Sequence, residues 1–140
     1  MATSEKSFQA YFMKTVPHGY RTSLVNGSGF PDLIMFHGPN NYSLIELKML
    51  LVGPSGNKKL KSLFKQSQGP WYYNYLSKGG DRLFVCFQLN KGYGLLKVTK
   101  AFVHALDHIK YQEMKEMDTY REFSTLKELI GTLGEESDIP

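Results

Sequence analysis

Ionisable side chains lie within two hydrophobic runs near the middle of the chain. Pro31-Asp32 opens the first run, and Glu46 and Lys48 lie two residues apart in the second. Alternate side chains of a β-strand share one face, so Glu46 and Lys48 are expected to project side by side. With an aspartate delivered from the hairpin partner, such a set can hold Mg²⁺ beside a scissile phosphate.

Metal chemistry assigns a role to each of these groups, and each also has an ordinary alternative. Asp32 and Glu46 are candidate carboxylate ligands, with the Leu47 main-chain carbonyl as a third, because hard cations prefer oxygen. Lys48 would contact the attacking water or the scissile phosphate and stabilise the charge that develops there. The alternatives are an aspartate that merely begins a strand and a Glu46–Lys48 ion pair, which is compatible with catalysis.

Charge is distributed unevenly along the chain. Residues 1–100 contain 13 lysines and arginines but only 4 acids, whereas residues 101–140 contain 4 basic residues and 9 acids. A basic surface attracts phosphate backbones through counterion release. Glu5, Asp32 and Glu46 are three of the four acids in the basic part, and together they would repel DNA unless a divalent cation were bound. This distribution favours metal-assisted phosphodiester chemistry over simple DNA coating.

Length and composition are typical of one domain with its own core, since the chain has 140 residues of which 41% are hydrophobic. No apolar run approaches transmembrane length and no signal peptide is visible, so we expect no membrane partner and a cytoplasmic or other intracellular location. The single cysteine, Cys86, is predicted to be a buried strand residue. His104 and His108 are four residues apart but lack a third ligand in the sequence, which argues against zinc.

Periodicity predicts an α/β domain with a mixed central β-sheet flanked by helices. The predicted strands are residues 20–25, 32–36, 42–49, 82–89 and 93–98. The predicted helices are residues 5–14, 58–76 with a kink or second start at Gly69-Pro70, 99–114 and 125–133. In the first helix, Glu5 is expected to share the inward face of Phe8 and Phe12. Residues 53–57 are predicted to be a flexible loop. We therefore expect a single domain over residues 1–133, with a catalytic core at about 4–98, a helical segment at 99–133 and a flexible tail at 134–140.

Several of these features occur in an order that resembles a known family. The motifs are Ser28-Gly29-Phe30-Pro31-Asp32, Ile45-Glu46-Leu47-Lys48, a serine-and-glutamine segment at Ser62 to Gln68, and Gln68-Gly69-Pro70-Trp71 followed by Leu76 and Gly79. With an acid in the N-terminal helix, the chain resembles the PD-(D/E)xK nuclease superfamily, and more closely its VRR-NUC branch and the related Holliday-junction resolvases. The resemblance covers residues 4–98, and the Gly-Pro after Gln68 departs from the family pattern.

The resemblance implies a restriction-endonuclease-like core and a metal-dependent endodeoxyribonuclease, a phosphodiester hydrolase of DNA recombination or repair. It implies Mg²⁺ as cofactor, with Mn²⁺ expected to substitute. It also adds two catalytic candidates: Glu5, to orient water around the metal or to ligate a second ion, and Gln68, to hydrogen-bond the phosphate or a water. The alternatives are that Glu5 only stabilises the helix dipole, and that Gln66 takes the place of Gln68.

The segment after the Glu-x-Lys strand supplies candidate DNA-binding side chains. The candidate phosphate-binding residues are Lys58, Lys59, Lys61 and Lys65, three of which form a stripe at helical spacing. The alternative is an ordinary solvated helix face. The neighbouring aromatic residues are Trp71, Tyr72, Tyr73 and Tyr75. They could stack on splayed bases, although such residues more often pack in a core or an interface.

These observations lead to a Mg²⁺-dependent, structure-selective DNA endonuclease that cuts branched DNA such as Holliday junctions. A homodimer is expected, because a four-way junction presents two symmetric strands. One alternative is a nicking or repair nuclease of the same fold, and another is a catalytically silent DNA-binding module. A further, weaker alternative makes the acidic C-terminal segment a regulatory or interaction arm.

Overall fold

A six-stranded mixed β-sheet forms the centre of the fold. The computed structural model describes residues 4–25, 27, 29–38, 40–53 and 58–138, with side chains described up to residue 135. The strands are β1 (Arg21–Leu24), β2 (Leu33–Gly38), β3 (Asn41–Met49), β4 (Leu83–Gln88), β5 (Tyr93–Lys97) and β6 (Tyr120–Phe123), arranged in chain order. Strands β3 and β4 are parallel and the other neighbours are antiparallel. The predicted mixed central sheet is confirmed.

Helices cover both faces of this sheet. They are α1 (Glu5–Thr15), α2 (Gln68–Ser77), α3 (Lys100–Ala105), α4 (Tyr111–Lys115) and α5 (Leu126–Asp138), with a short 3-10 helix at Leu60–Leu63. One apolar core lies between the sheet and α1 and α5, and includes Phe8 and Phe12. The other lies between the sheet and α2, α3 and α4, and includes Tyr72, Phe102 and Met114. The sheet is therefore buried on both faces, as the continuous burial of β4 requires.

Local sequence explains where α1 and β4 lie. Ser4 caps α1 by accepting a hydrogen bond from the Ser7 N–H at 3.1 Å, and Phe8 and Phe12 on one side of the helix are fully buried. The apolar run of β4 places Cys86 in the core, where it is free and fully buried, as predicted.

The parallel connection from β3 to β4 positions the functional residues. Parallel strands cannot be joined by a tight turn, so the connection crosses one face of the sheet and carries the 3-10 helix and α2. On β3, Ile45 and Leu47 face the core beneath α1 and α5, while Leu44 and Leu50 face the core beneath α2. By strand alternation, Glu46 and Lys48 project towards α2.

Two predicted helices differ from the structure. Residues 58–67 are not α-helical, and α2 begins at Gln68, so Pro70 lies in the first turn, where its missing N–H removes no helix bond. The predicted helix 99–114 is broken between α3 and α4. There the Ile109 carbonyl accepts a hydrogen bond from Leu60, and the Tyr111 N–H donates to Lys58, so pairing between segments replaces the helix.

The C-terminal forty residues also differ from the prediction. Strand β6, which pairs with β5, was not predicted, so this segment contains a strand in addition to helices. Helix α5 continues to Asp138 with Gly134 buried, so the predicted helix end at residue 133 is wrong, while the flexibility predicted for residues 134–140 stays a prediction. Ser28, loop residues 54–57 and residues 139–140 lie outside the described residues. In the described part of the chain, no helix has the length and apolar character needed to cross a membrane.

Candidate active site

The site forms where β3 extends beyond its antiparallel partner. The pairing of β2 with β3 ends at Leu33 and Ile45, whereas β3 continues to Met49. Asp32 immediately precedes β2, and its Oδ2 accepts a hydrogen bond from the Leu47 N–H at 2.7 Å. The aspartate carboxylate thus occupies the edge of β3 where the backbone of β2 no longer runs.

The backbone of Leu47 faces that same open edge. Three residues later, the Leu50 N–H donates to the Gln88 carbonyl in β4 at 2.8 Å, so backbone groups at even-numbered positions of β3 face β4. The N–H and C=O of one extended residue point to the same side of a strand, which places the Leu47 carbonyl towards Asp32. The Leu47 carbonyl oxygen, predicted as a third metal ligand, therefore lies on the same edge of β3 as the Asp32 carboxylate.

Glu46 and Lys48 form a buried ion pair on the face that α2 covers. Lys48 Nζ lies 3.3 Å from Glu46 Oε2, and the two side chains are only 4% and 3% exposed. The Lys48 ammonium also lies 5.2 Å from the centre of the Phe64 ring. The predicted side-by-side projection is confirmed, and the ion pair that formed the ordinary alternative is present as well.

Glu46 is a buried carboxylate, and the positive charge of Lys48 does not fully offset the cost of ionising it. Burial, reinforced by the negative charge of Asp32, raises the pKa of Glu46 to about 7, although the positive charge of Lys48 acts to lower it. Glu46 Oε1 is buried without a hydrogen-bond partner in the described structure. A hard divalent cation bound between the two carboxylates would offset their repulsion, so this oxygen donor set fits Mg²⁺.

Two residues of α2 approach this pair from above. Gln68 is 4% exposed, its Oε1 accepts from the Lys65 N–H at 2.8 Å, and its interaction with Glu46 acts to lower the pKa of that carboxyl. One turn later Tyr72 is fully buried, with its hydroxyl unpartnered in the described residues. Burial and the charges of Glu46 and Asp32 raise the pKa of Tyr72 above its ordinary range. The Tyr72 hydroxyl therefore lies close enough to both carboxylates to interact with them electrostatically.

Sequence reasoning did not identify Tyr72 as part of the site. We interpreted it as a stacking or core aromatic residue, and its ring is indeed in the core. The signal that could have found it is its spacing from Gln68, because residues four apart share one face of a helix. Gln66, the alternative to Gln68, is exposed and lines a different groove.

Glu5 reaches the site from the opposite layer. As the first residue of α1, it was predicted to share the inward face of Phe8 and Phe12, but it is exposed. That prediction was wrong because the first turn of α1 extends past the edge of the core. Glu5 nevertheless lines the same cleft as Asp32, near the open edge of β3.

All five predicted catalytic residues line one cleft of about 510 Å³, called here the candidate cleft. They are Glu5, Asp32, Glu46, Lys48 and Gln68. Within the described residues, no three histidine, cysteine, aspartate or glutamate side chains come close enough together to hold a metal ion. The available protein donors are thus two carboxylates and one carbonyl, and water would complete the coordination that Mg²⁺ requires.

Close packing at Gly29 fixes the loop that carries Asp32. Gly29 has a φ of +83°, and a Cβ added there would lie 2.6 Å from the Ser67 carbonyl oxygen and 3.0 Å from Trp71 Cβ. Only glycine fits both the left-handed conformation and the approach to the start of α2. This contact holds the loop of Asp32 against the helix that begins with Gln68.

The predicted lysine stripe is not a helix face. Lys58 and Lys59 precede the 3-10 helix, Lys61 lies within it, and Lys65 lies in the loop before α2. Lys61 and Lys65 line a groove beside the candidate cleft, and Lys65 also lines the cleft itself. Lys58 is half-buried, and Lys59 is exposed with its backbone paired to Lys110.

Comparisons with known proteins find distant similarity among solved structures. No family model and no curated protein sequence matches the chain. Among solved structures, it is similar to Hjc, a Holliday junction resolvase from the archaeal hyperthermophile Archaeoglobus fulgidus. The two share 15% sequence identity with a TM-score of 0.41, and the alignment covers 89% of each chain. At this similarity, a functional assignment depends on the geometry of the candidate cleft.

Proposed function

We propose that this protein is a Mg²⁺-dependent endonuclease with a restriction-endonuclease-like core that hydrolyses branched DNA such as Holliday junctions. The observation that carries the proposal is the candidate cleft, where two carboxylates, a buried lysine and a glutamine meet at the open edge of β3. Burial and the negative charge of Asp32 raise the pKa of Glu46 to about 7, so the ionised Glu46 carboxylate is poorly stabilised unless a cation is bound.

The reaction adds water to a backbone phosphorus and breaks one phosphorus–oxygen ester bond, leaving a phosphate monoester and a hydroxyl group. Mg²⁺ bound by Asp32, Glu46 and the Leu47 carbonyl would supply Lewis acidity and neutralise phosphate charge. Lys48, held in place by Glu46, would donate hydrogen bonds to the phosphate oxygens that gain charge in the transition state.

The remaining residues of the cleft position these groups. Gln68 has its carbonyl oxygen engaged by the Lys65 N–H, which leaves its NH₂ group to face Glu46 and the incoming phosphate or water. Tyr72 is fully buried in the core beneath α2, close enough to Glu46 for the charge of that carboxylate to raise the pKa of its hydroxyl. Glu5, exposed at the rim, is available to orient water near the metal.

Branched DNA and a homodimer complete the proposal. The excess of basic residues over acids in residues 1–100 favours a polyanionic substrate, and an acid-containing cleft in a basic surface favours cutting over coating. A C₂ dimer would place one cleft on each of two symmetric strands of a junction. Light scattering of the free protein and of its junction complex measures the oligomeric state.

A cleavage assay on matched DNA shapes tests the assignment. End-labelled four-way junction, flap, single-stranded and linear duplex DNA are incubated with protein in Mg²⁺, in Mn²⁺ or in EDTA. The expected result is cleavage of branched DNA in Mg²⁺ or Mn²⁺ and none in EDTA.

The matched control is Asp81→Asn, because Asp81 is an exposed acid of the same basic part of the chain but lies outside the candidate cleft. It should cut like the wild type. Binding of branched DNA without metal-dependent cutting of any shape would reject the nuclease assignment and favour the catalytically silent DNA-binding module. Preference for nicked or flap DNA over junctions would favour the repair-nuclease alternative.

A further inference from the structure

A second groove, of about 640 Å³, lies beside the candidate cleft between α2, α3 and the 3-10 helix. It is called here the α2 groove. Its apolar wall includes Phe64, Val103 and Leu106. Lys61 and Lys65 line it as well. An apolar wall with cations beside it fits a ligand that is both flat and anionic.

Tyr73 provides an exposed aromatic surface in this groove. Tyr73 is 43% exposed and lines the groove. Lys100 Nζ lies 5.9 Å from the centre of the ring, and the His104 ring lies at 5.5 Å in an edge-on arrangement. Tyr73 nevertheless remains 43% exposed beside these neighbours, so part of its ring is accessible for stacking, which a nucleobase can use whatever its sequence.

Charge around the groove favours phosphate. Lys61 and Lys65 line it, and the Lys100 ammonium lies beside Tyr73. Among the described residues that line the groove, Asp107 is the one acid, and it lies 3.7 Å from Lys61 with both side chains exposed. Asp107 offsets one of these positive charges, and the remaining cations leave a net positive charge around the groove that attracts a polyanion. A stacking surface beside several cations is the arrangement that binds single-stranded nucleic acid.

The α2 groove is continuous with the candidate cleft. Lys65 lines both, and Phe64, which lines the groove, lies beneath the Lys48 ammonium. A strand whose scissile phosphate occupies the cleft can therefore continue into the groove. Bases of a duplex are stacked on both faces by their neighbours, so only an unpaired base can present a free face to Tyr73.

We propose that the α2 groove binds an unpaired DNA strand that continues from the scissile phosphate, with one base stacked on Tyr73. This inference rests on the proposed nuclease function and deepens it, because it narrows the branched substrates to those with an unpaired strand beside the cut, whether at a flap or at the opened centre of a junction.

Binding measured in EDTA tests the groove independently of catalysis. Fluorescence anisotropy compares a splayed duplex carrying one single-stranded arm with a fully paired duplex of the same sequence. Tyr73→Ala should weaken binding of the splayed DNA by roughly 5- to 100-fold and leave the paired duplex unchanged. Tyr73→Phe should retain wild-type affinity, because it keeps the ring.

Tyr11→Ala is the matched control, since Tyr11 is a similarly exposed tyrosine, at 45%, that lines neither cavity. It should bind both DNAs like the wild type. An equal loss on splayed and paired DNA for Tyr73→Ala, or no loss on either, would overturn the proposal. A polyglutamate peptide serves as a competitor that carries negative charge without bases. If it displaced the splayed DNA as efficiently as single-stranded DNA does, binding would depend on charge alone and the proposal would also be overturned.

Photo-crosslinking locates the contact directly. A 5-iododeoxyuridine placed in the unpaired arm should form an adduct that mass spectrometry maps to Tyr73, and the same nucleotide in the paired arm should not. An adduct confined to α1 would place the strand elsewhere. Because both measurements omit divalent metal, an inactive protein can still pass them, so failure of the groove and failure of the nuclease assignment are distinguishable.

Discussion

At the scale of single residues, the carboxylates carry the strongest prediction. Asp32→Asn or Glu46→Gln should abolish Mg²⁺-dependent cleavage, because each change removes an oxygen ligand. DNA binding should be retained or tightened, because each also removes a negative charge beside phosphate. Cleavage rates and binding affinities of each variant against Asp81→Asn measure this. Wild-type cutting by either variant in Mg²⁺ would show that the metal assignment is wrong.

Lys48 separates binding from catalysis. Its ammonium is buried and paired with Glu46, so it is poorly placed to add affinity for DNA at the surface. Lys48→Ala should lower the cleavage rate by on the order of 10²-fold or more with little change in affinity, as expected for a group that acts on the transition state. Single-turnover rates and anisotropy measure the two effects. A matching loss of affinity and rate would make Lys48 an ordinary phosphate contact.

The raised pKa of Glu46 predicts an unusual pH dependence of stability. The folded protein holds this proton more tightly than the unfolded chain, where the carboxyl titrates near 4.5. Metal-free protein should therefore lose stability as pH rises from about 4.5 to 7, by up to about 3 kcal/mol. Glu46→Gln should remove that dependence. Thermal unfolding in EDTA measures it, and parallel pH profiles for both proteins would contradict the buried, repelled carboxyl.

Residue types and spacing were enough to predict most of the cleft. Period-two alternation alone placed Glu46 and Lys48 on one face, and an acid after Pro31 placed Asp32 near them. Tyr72 and the exposure of Glu5 depend on how α2 and α1 pack across the sheet. That packing is long-range information, which local patterns do not contain.

At the scale of elements, Gly29 links the Asp32 loop to α2. Gly29→Ala introduces a side chain at positive φ and drives its Cβ into the Ser67 carbonyl, so the loop or the helix must move. We expect a loss of about 1–3 kcal/mol in stability and a fall in cleavage rate. Thermal unfolding and rate measurements check both effects.

Gly19→Ala is the matched control for Gly29→Ala. Gly19 lies in an exposed turn with no heavy atom near an added Cβ, so this change should be nearly neutral. Equal stability and equal rates for the two variants would show that the Gly29 contact does not position the site.

Elements with strong local sequence signals were predicted. Elements whose structure depends on pairing with distant segments were not. The hairpin of β4 and β5 follows from two apolar runs around Asn90 and Gly92. Strand β6 was missed because its four residues include exposed Arg121 and Glu122, and only pairing with β5 makes it a strand. The break between α3 and α4 likewise arises from bonds to residues 58–60, which no local pattern reveals.

At the scale of the whole molecule, the acidic C-terminal segment is part of the domain. Its acids at positions 113, 116, 122 and 128 are exposed, whereas Leu129, Ile130 and Leu133 of α5 are buried in the core beneath the sheet. These apolar side chains dock α5 on the sheet, and β6 ties the same segment to the sheet edge. The charge asymmetry along the sequence therefore lies within one folded domain.

The basic surface predicts how DNA affinity depends on salt. Replacing Lys58, Lys59 and Lys61 by alanine removes three cations, of which Lys61 lines the α2 groove. Affinity for all DNA shapes should fall, and the slope of log K against log salt should shrink by up to about 0.9 per lost phosphate contact on duplex arms. The control triple variant removes the same charge from exposed lysines elsewhere on the surface, namely Lys14, Lys78 and Lys91. Because only contacted phosphates release counterions, its slope should stay near that of the wild type. Equal slopes for the two triple variants would show that DNA responds to net charge alone and that Lys58, Lys59 and Lys61 face away from it.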